Sequence, residues 1–305
     1  MNNTEVKYNE KTNLSNELYI FWHIFIDPNY IKRCLSIINR QFEKITNSGL
    51  LERCTCIYIG YVSTIDFPLP NILNNKKIKI IVHYKEGFEG VTTRAIKKFC
   101  DDHKDRKFAI LYIHNRGSTN YSIPSEDWTL MMEYFCIENW KKGLLMLNNK
   151  LTAGCELCYH DKLRIKYEKL EEIYTYLKRK TPYFVYHYPG NFWWARSDYI
   201  QMLPYPNFND KHLDSEDWIL FPTDKIIDKK YFGILHRTSK ERYKIGMVNS
   251  YINRYPIEYY RNANETPDKE LDEKEFSKWD EWINNPSRAN YQEFVRLQTG
   301  LLDSS

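Results

Sequence analysis

Four short segments gather side chains able to act on a charged or sugar-like substrate. In Leu111-Tyr112-Ile113-His114-Asn115-Arg116-Gly117-Ser118, an apolar run ends in a histidine, an arginine and a glycine. His114 can ligate a metal ion or hold a phosphate oxygen. Arg116 offers a planar fork of donors suited to a diphosphate, and Gly117 lets backbone approach a ligand closely. A plain strand-to-loop turn with a solvated arginine explains the same residues equally well. Gly190-Asn191-Phe192-Trp193-Trp194-Ala195 sets two tryptophans beside an amide. Indole has a large apolar face that suits the C–H face of a sugar, and asparagine suits its hydroxyls. Consecutive residues rarely point the same way, so one indole is expected in the core and one facing a cleft.

The third segment, His212 to Trp218, holds Asp214, Glu216 and Asp217 just before an apolar Trp-Ile-Leu-Phe run. A carboxylate at such a boundary is partly desolvated, the setting in which a general base works. The alternative is an acidic first turn of a helix, favoured by the dipole alone. The fourth is His236 with Arg237 beside it, at the end of an apolar run. A lone histidine is usually structural, but this position suits diphosphate or metal contact. His23, inside the first apolar run, joins His114, Arg116, Gly117 and Arg237 as a donor-binding candidate. Asp127 joins Asn191, Trp193 and Trp194 as a sugar or acceptor candidate.

The elements that must position these residues alternate. Apolar runs at Leu18–Ile26, Cys56–Val62, Ile78–Tyr84 and Phe108–His114 predict strands. Helical periodicity covers Tyr30–Asn47, closed by Ser48-Gly49, and Thr92–His103. This order predicts a mainly parallel, Rossmann-type α/β sheet with helices on both faces. Ligands of such sheets bind beyond the carboxyl ends of the strands, which directs attention to Asp27, Ser63, Lys85 and His114 to Ser118. Further on, Asp127–Lys150 reads as one long helix with Ser125 as its N-cap, and Leu163–Lys180 as a charged amphipathic helix. Tyr183–Tyr188 and Tyr231–His236 read as short strands. Residues 1–16 read as a polar arm, 17–245 as the catalytic-size domain, and 246–305 as a helical C-terminal extension.

Composition excludes several classes. The 305 residues are 42% hydrophobic, enough for a substantial core. No apolar run approaches the roughly 20 residues of a membrane span, so no transmembrane segment is expected and a cytoplasmic location is. Forty-four basic against 40 acidic residues leave a net charge of +4, which gives no electrostatic footprint for nucleic acid. Seven cysteines without disulfide-like regularity fit a reducing compartment. Cys155-x-x-Cys158 is half of a zinc motif, with buried thiols the better expectation.

Taken in order, these segments resemble a group of GT-A-type glycosyltransferase-like proteins of bacteria and large DNA viruses. The resemblance rests on Tyr112, His114 and Gly117, on Asp127-Trp128 and Met132-Glu133-Tyr134-Phe135, on Gly190 to Ala195, on Glu216-x-Trp218-Ile219, and on His236. Ser48-Gly49-Leu50 and the Glu89 to Thr93 region are also similar. It spans roughly residues 18–245, and Gly-Asn-Phe-Trp-Trp-Ala is its most specific element. The resemblance implies a GT-A fold, a nucleotide-sugar donor and a glycan or glycoprotein acceptor; for the C-terminal extension, shaping the acceptor cleft and forming a homodimer are both open. It offers two candidate bases: the group's own pattern matches Glu216, whereas an x-Glu-Asp element at Ser215 to Asp217 favours Asp217. Two departures are informative. Asn115 and Arg116 stand where the group usually has Thr and Lys. No Asp-x-Asp occurs in the chain, so a divalent ion, Mn or Mg, would fall to His114 and His236, or else Arg116, with Arg237, would neutralise the leaving diphosphate directly. A catalytically silent, lectin-like protein on the same fold is the alternative, with the Trp pair as its platform.

Overall fold

The computed structural model describes residues 14–119, 123–160, 185–206, 218–220 and 232–236. All of them belong to one compact unit. Strand β1 (Leu18–Ile26) leads into α1 (Ile31–Asn47) and the single turn α2 (Leu50–Arg53), then β2 (Cys56–Ser63), β3 (Ile78–Tyr84), α3 (Gly90–Asp102) and β4 (Ala109–His114). Helix α4 (Ile123–Glu133) passes through a π-helical turn (Tyr134–Glu138) into α5 (Trp140–Met146). Strands β5 (Thr152–Cys155), β6 (Cys158–His160), β7 (Val185–His187) and β8 (Trp193–Arg196), helix α6 (Ser197–Met202) and β9 (Phe232–His236) follow.

Seven strands form one sheet in the order β3-β2-β1-β4-β8-β5-β9, and β6 pairs with β7 separately. All neighbours in the large sheet are parallel except at β8, which runs antiparallel to both β4 and β5. This is the expected α/β architecture: a mostly parallel sheet flanked by helices. The chain builds from β1 toward β3, then returns to the other side of β1 to lay down β4. The gap between the carboxyl ends of β1 and β4 is therefore a topological switch point, the place where open α/β sheets bind ligands.

Register separates the two faces, because laterally paired residues share a face and successive ones alternate. Tyr19, Phe21 and His23 of β1 pair with Ile110, Tyr112 and His114 of β4. This face carries α3: Phe99 packs edge-on to Tyr19 and Phe21, with centroids 5.0 and 5.5 Å apart. The other face carries the π turn and α5. Trp194 of β8, paired with Leu111, reaches the π turn through an indole N–H donated to Cys136 O at 3.1 Å. A Cβ on Gly143 of α5 would come within 2.5 Å of the same indole.

Several expectations need correction. Residues 127–150 do not form one helix, and α4 starts at Ile123, ahead of the expected cap Ser125. The π turn after Glu133 presents the Cys136 carbonyl to Trp194, and Trp140 beyond it donates to Ser48 O at 2.9 Å. A local change of pitch lets both contacts be made on one run of chain. Strand β5, Thr-Ala-Gly-Cys, carried no strand signal. It is a strand because β8 and β9 flank it, and Gly154 leaves room for the Tyr188 ring, which a Cβ would meet at 2.5 Å. The two tryptophans do point to opposite faces, but the sheet is covered on both, so both are fully buried and neither faces a cleft. The long helix expected at residues 163–180 and the extension from 246 lie outside the described residues.

No helix among the described residues is long and apolar enough to cross a membrane. Cys34, Cys54, Cys56, Cys100 and Cys136 are buried free thiols, and Cys155 is buried as well. Burial pushes the Cys54 thiol up to about 11, against the opposing pull of Lys77.

Gly60 of β2 shows how tightly α3 sits. A Cβ there would lie 1.9 Å from Thr92 Oγ1. Gly60→Ala is expected to destabilise the fold by about 1–3 kcal/mol through overpacking, read as a lower denaturation midpoint at unchanged m-value.

Candidate functional site

The switch point is lined by the ends of β1 and β4 and by the segment following β4. His23 and His114 are direct register partners there, and both are buried. His23 Nδ1 lies 2.8 Å from Thr92 Oγ1, in the first turn of α3. His114 is held at both ring nitrogens: Nε2 is 2.8 Å from Gly190 O and Nδ1 is 3.3 Å from Glu89 Oε1.

Glu89 occupies the N-cap position of α3, without a side-chain capping bond, and is only 4% exposed. Its other oxygen, Oε2, accepts from Tyr112 OH at 3.0 Å and from Asn191 Nδ2. Asn191 Oδ1 in turn accepts from Trp193 Nε1 at 2.8 Å, and the Trp193 ring stacks on Tyr112 with centroids 5.0 Å apart. A buried carboxylate at a helix N-terminus is favoured by the dipole, and these donors supply the pairing that burial demands. In the sequence, Glu89 stands out only as part of the similar Glu89 to Thr93 region. In Lys-Glu-Gly-Phe-Glu-Gly it looks like a solvated loop acid, and its burial becomes visible only when β4 and β8 are side by side.

The loop after β4 is gripped from several sides. Asn115 donates its amide to Phe25 O at 2.7 Å and accepts from Phe25 N at 2.9 Å, so it mimics a strand neighbour at the end of β1. Helix α1 supplies two more anchors: Gln41 donates to His114 O at 2.9 Å, and Arg33 Nε donates to Gly117 O. Gly117, at φ +80°, occupies the left-handed region that glycine enters without strain. The Arg116 guanidinium lies 5.7 Å from the Trp128 ring centroid, a cation–π distance.

Behind this loop sits a second buried carboxylate. Glu133 is fully buried. It pairs with Arg40 (Nε to Oε2 2.9 Å, NH2 to Oε1 3.0 Å), Lys44 (3.0 Å) and Gln41 (3.0 Å). Burial works against the Arg40 charge, but Glu133 and Glu126 outweigh it and hold the guanidinium above its ordinary value.

The structure thus brings together His23, His114, Arg116, Gly117, Asn191 and Trp193, at or just beneath the switch point. Asp127 lies on α4, partly exposed, beside Trp128. Trp194 stands apart on the opposite face. Glu216, Asp217 and Arg237 lie outside the described residues. His114 and His236 stand at the carboxyl ends of β4 and β9. Both His114 nitrogens already face protein acceptors, and β4 and β9 are three strand spacings apart, about 14 Å. Among the described residues, no group of three His, Cys, Asp or Glu is placed to hold an ion.

Comparison with known proteins adds one match. Residues 21–163 are similar to a family described as a domain of unknown function, DUF8361. The match runs from within β1 to just past β6, takes in His23, Glu89 and the whole loop after β4, and stops short of Gly190–Ala195. No curated protein matches the chain.

The Asn115 clamp can be tested alone. Asn115→Ala leaves the Phe25 N–H and C=O without their partner and is expected to cost about 2–4 kcal/mol, measured by denaturant unfolding. Asn115→Asp, which sets a buried carboxylate oxygen against the Phe25 carbonyl, should cost at least as much.

Proposed function

We propose that the chain is a nucleotide-sugar-dependent glycosyltransferase on a GT-A-like fold. It moves a sugar from a nucleotide diphosphate donor to a hydroxyl of a glycan or protein-linked acceptor, with inversion. The observation that carries this reading is the arginine-bearing loop at the β1/β4 switch point, held in one shape by Asn115, Gln41, Arg33 and Gly117. A preorganised cation at that edge suits the charge that develops on a departing diphosphate. Because both His114 ring nitrogens face protein acceptors, the reading assigns neutralisation of the leaving group to Arg116.

His114, His23, Asn191 and Trp193 then act from beneath the site, as supports for the loop and the turn that line it. For stacking on a nucleobase or sugar, the accessible rings at this edge are Tyr30, just after β1, and Phe88, just before α3, which are 46% and 47% exposed. The lectin-like alternative drew on an exposed Trp pair, and the burial of both indoles removes that support. Deprotonation of the acceptor hydroxyl falls to Asp217 or Glu216, as the resemblance implies.

A thermal-shift screen against UDP-, GDP- and TDP-sugars, each with and without Mn, tests the donor site. One nucleotide class is expected to stabilise the protein, with no added effect of Mn. Arg116→Ala should weaken that ligand about 10- to 100-fold, as loss of a charge-assisted contact does. Absence of a shift with every donor would overturn the reading.

Turnover tests the base. With the stabilising donor and a suitable acceptor, Asp217→Asn or Glu216→Gln is expected to lower kcat by about 100-fold or more. Near-full activity in both variants would remove the carboxylate segment from the mechanism.

A further inference from the structure

We propose that Glu89 is the positioning residue of the switch-point crevice: it holds His114 as a doubly protonated imidazolium and, through it, sets the Gly190–Asn191 turn that backs Arg116. The functional meaning of this assignment rests on the glycosyltransferase reading above.

The polar contacts of the His114 ring lead to it. Gly190 O, 2.8 Å from Nε2, is a carbonyl and only accepts; the ionised Glu89 carboxylate, 3.3 Å from Nδ1, only accepts. Beside an ionised Glu89, whose Oε2 already accepts from two donors, a neutral imidazole has one N–H and would set a lone pair against one of these oxygens. The imidazolium has two donors and satisfies both. With His114 6% and Glu89 4% exposed, neither charge is stable alone, and together they are neutral.

The remaining capacity of Glu89 fixes the turn. Its Oε2 takes Tyr112 OH and the Asn191 amide N–H, which leaves Asn191 Oδ1 for Trp193 Nε1. That set of partners permits one orientation of the Asn191 amide. Asn191 sits at φ +56° and Gly190 at φ +88°, consecutive left-handed residues. A Cβ on Gly190 would lie 2.5 Å from Met132 Sδ and 3.1 Å from Trp128 Nε1. The Trp128 indole donates to Pro189 O at 3.3 Å, and its ring lies under Arg116. A continuous run of contacts therefore leads from Glu89 through His114, the 189–191 turn and Trp128 to Arg116.

The test combines a spectroscopic readout with a binding one. Long-range ¹⁵N NMR of the histidine rings, with the His114 signals assigned by His114→Gln, is expected to show both ring nitrogens of His114 protonated at neutral pH. Glu89→Gln should convert it to a singly protonated ring. Glu89→Asp, which keeps the charge one methylene back, should retain the imidazolium. UDP, GDP and TDP are titrated by calorimetry into the same proteins. The nucleotide that binds the wild type should bind Glu89→Gln at least tenfold more weakly and Glu89→Asp at an intermediate level. A neutral His114 in the wild type overturns the proposal, as does an imidazolium that survives in Glu89→Gln. Equal affinity in wild type and Glu89→Gln overturns the positioning role. Should Glu89→Gln fail to fold, the wild-type spectrum and Glu89→Asp still decide. If no nucleotide binds the wild type, the glycosyltransferase reading fails, while the ring spectra still judge the Glu89–His114 pair.

Discussion

A carboxylate cannot be left bare inside a protein, and much of this crevice follows from the burial of one. Glu89 lies at the start of α3 with almost no access to water. Each of its oxygens must therefore find donors, and those donors come from β4 and from the turn before β8. Three pieces of chain that are remote in sequence are locked at one point by this requirement. The directionality of hydrogen bonds then makes the junction specific as well as tight.

The opposite side of the sheet repeats the device. Glu133 is buried among Arg40, Lys44 and Gln41, and Gln41 reaches on to the backbone carbonyl of His114. The strand end carrying His114 is thus held by one buried acid through its side chain and by another, through Gln41, at its carbonyl. Buried ion pairs are weak sources of net stability, because desolvation offsets most of their attraction. What this pair of junctions supplies is geometry: the loop that presents Arg116 leaves β4 from a fixed origin.

The sequence was most readable where a segment's environment was uniform. Strand β1 has the bounds its apolar run implies, because both faces of the central strand are covered along its length. Strand β3 was equally plain, as a run of Ile and Val between polar turns. Legibility failed where a partner, and not composition, decides. Thr152–Cys155 is too short and too small-sided to declare itself, and the π turn after Glu133 depends on an indole 58 residues away in sequence. The Trp pair alternates as neighbouring residues must, but both indoles are buried, because the cover that the strand–helix order implies for both faces extends over β8. Of the site, His114, Arg116, Gly117 and Asn191 were marked by type and position. Glu89 is not marked in the same way, because an acid in Gly-Phe-Glu-Gly looks like surface until its neighbours assemble around it.

The reversed strand β8 also shapes how the protein comes into being. During synthesis, β1 to β4 and their helices emerge together and can pair at once. One edge of β4 must wait for β8, which begins roughly 80 residues later. At ribosomal rates of about 5–20 residues per second, that edge stays open for about 4–16 seconds. Through that interval Ile110 and Tyr112 lack their eventual strand partners, and Glu89 lacks the Asn191 amide. The nascent sheet therefore carries an unpaired apolar edge and a half-satisfied acid until the Gly190–Ala195 segment arrives, and the same residues that organise the crevice complete the fold.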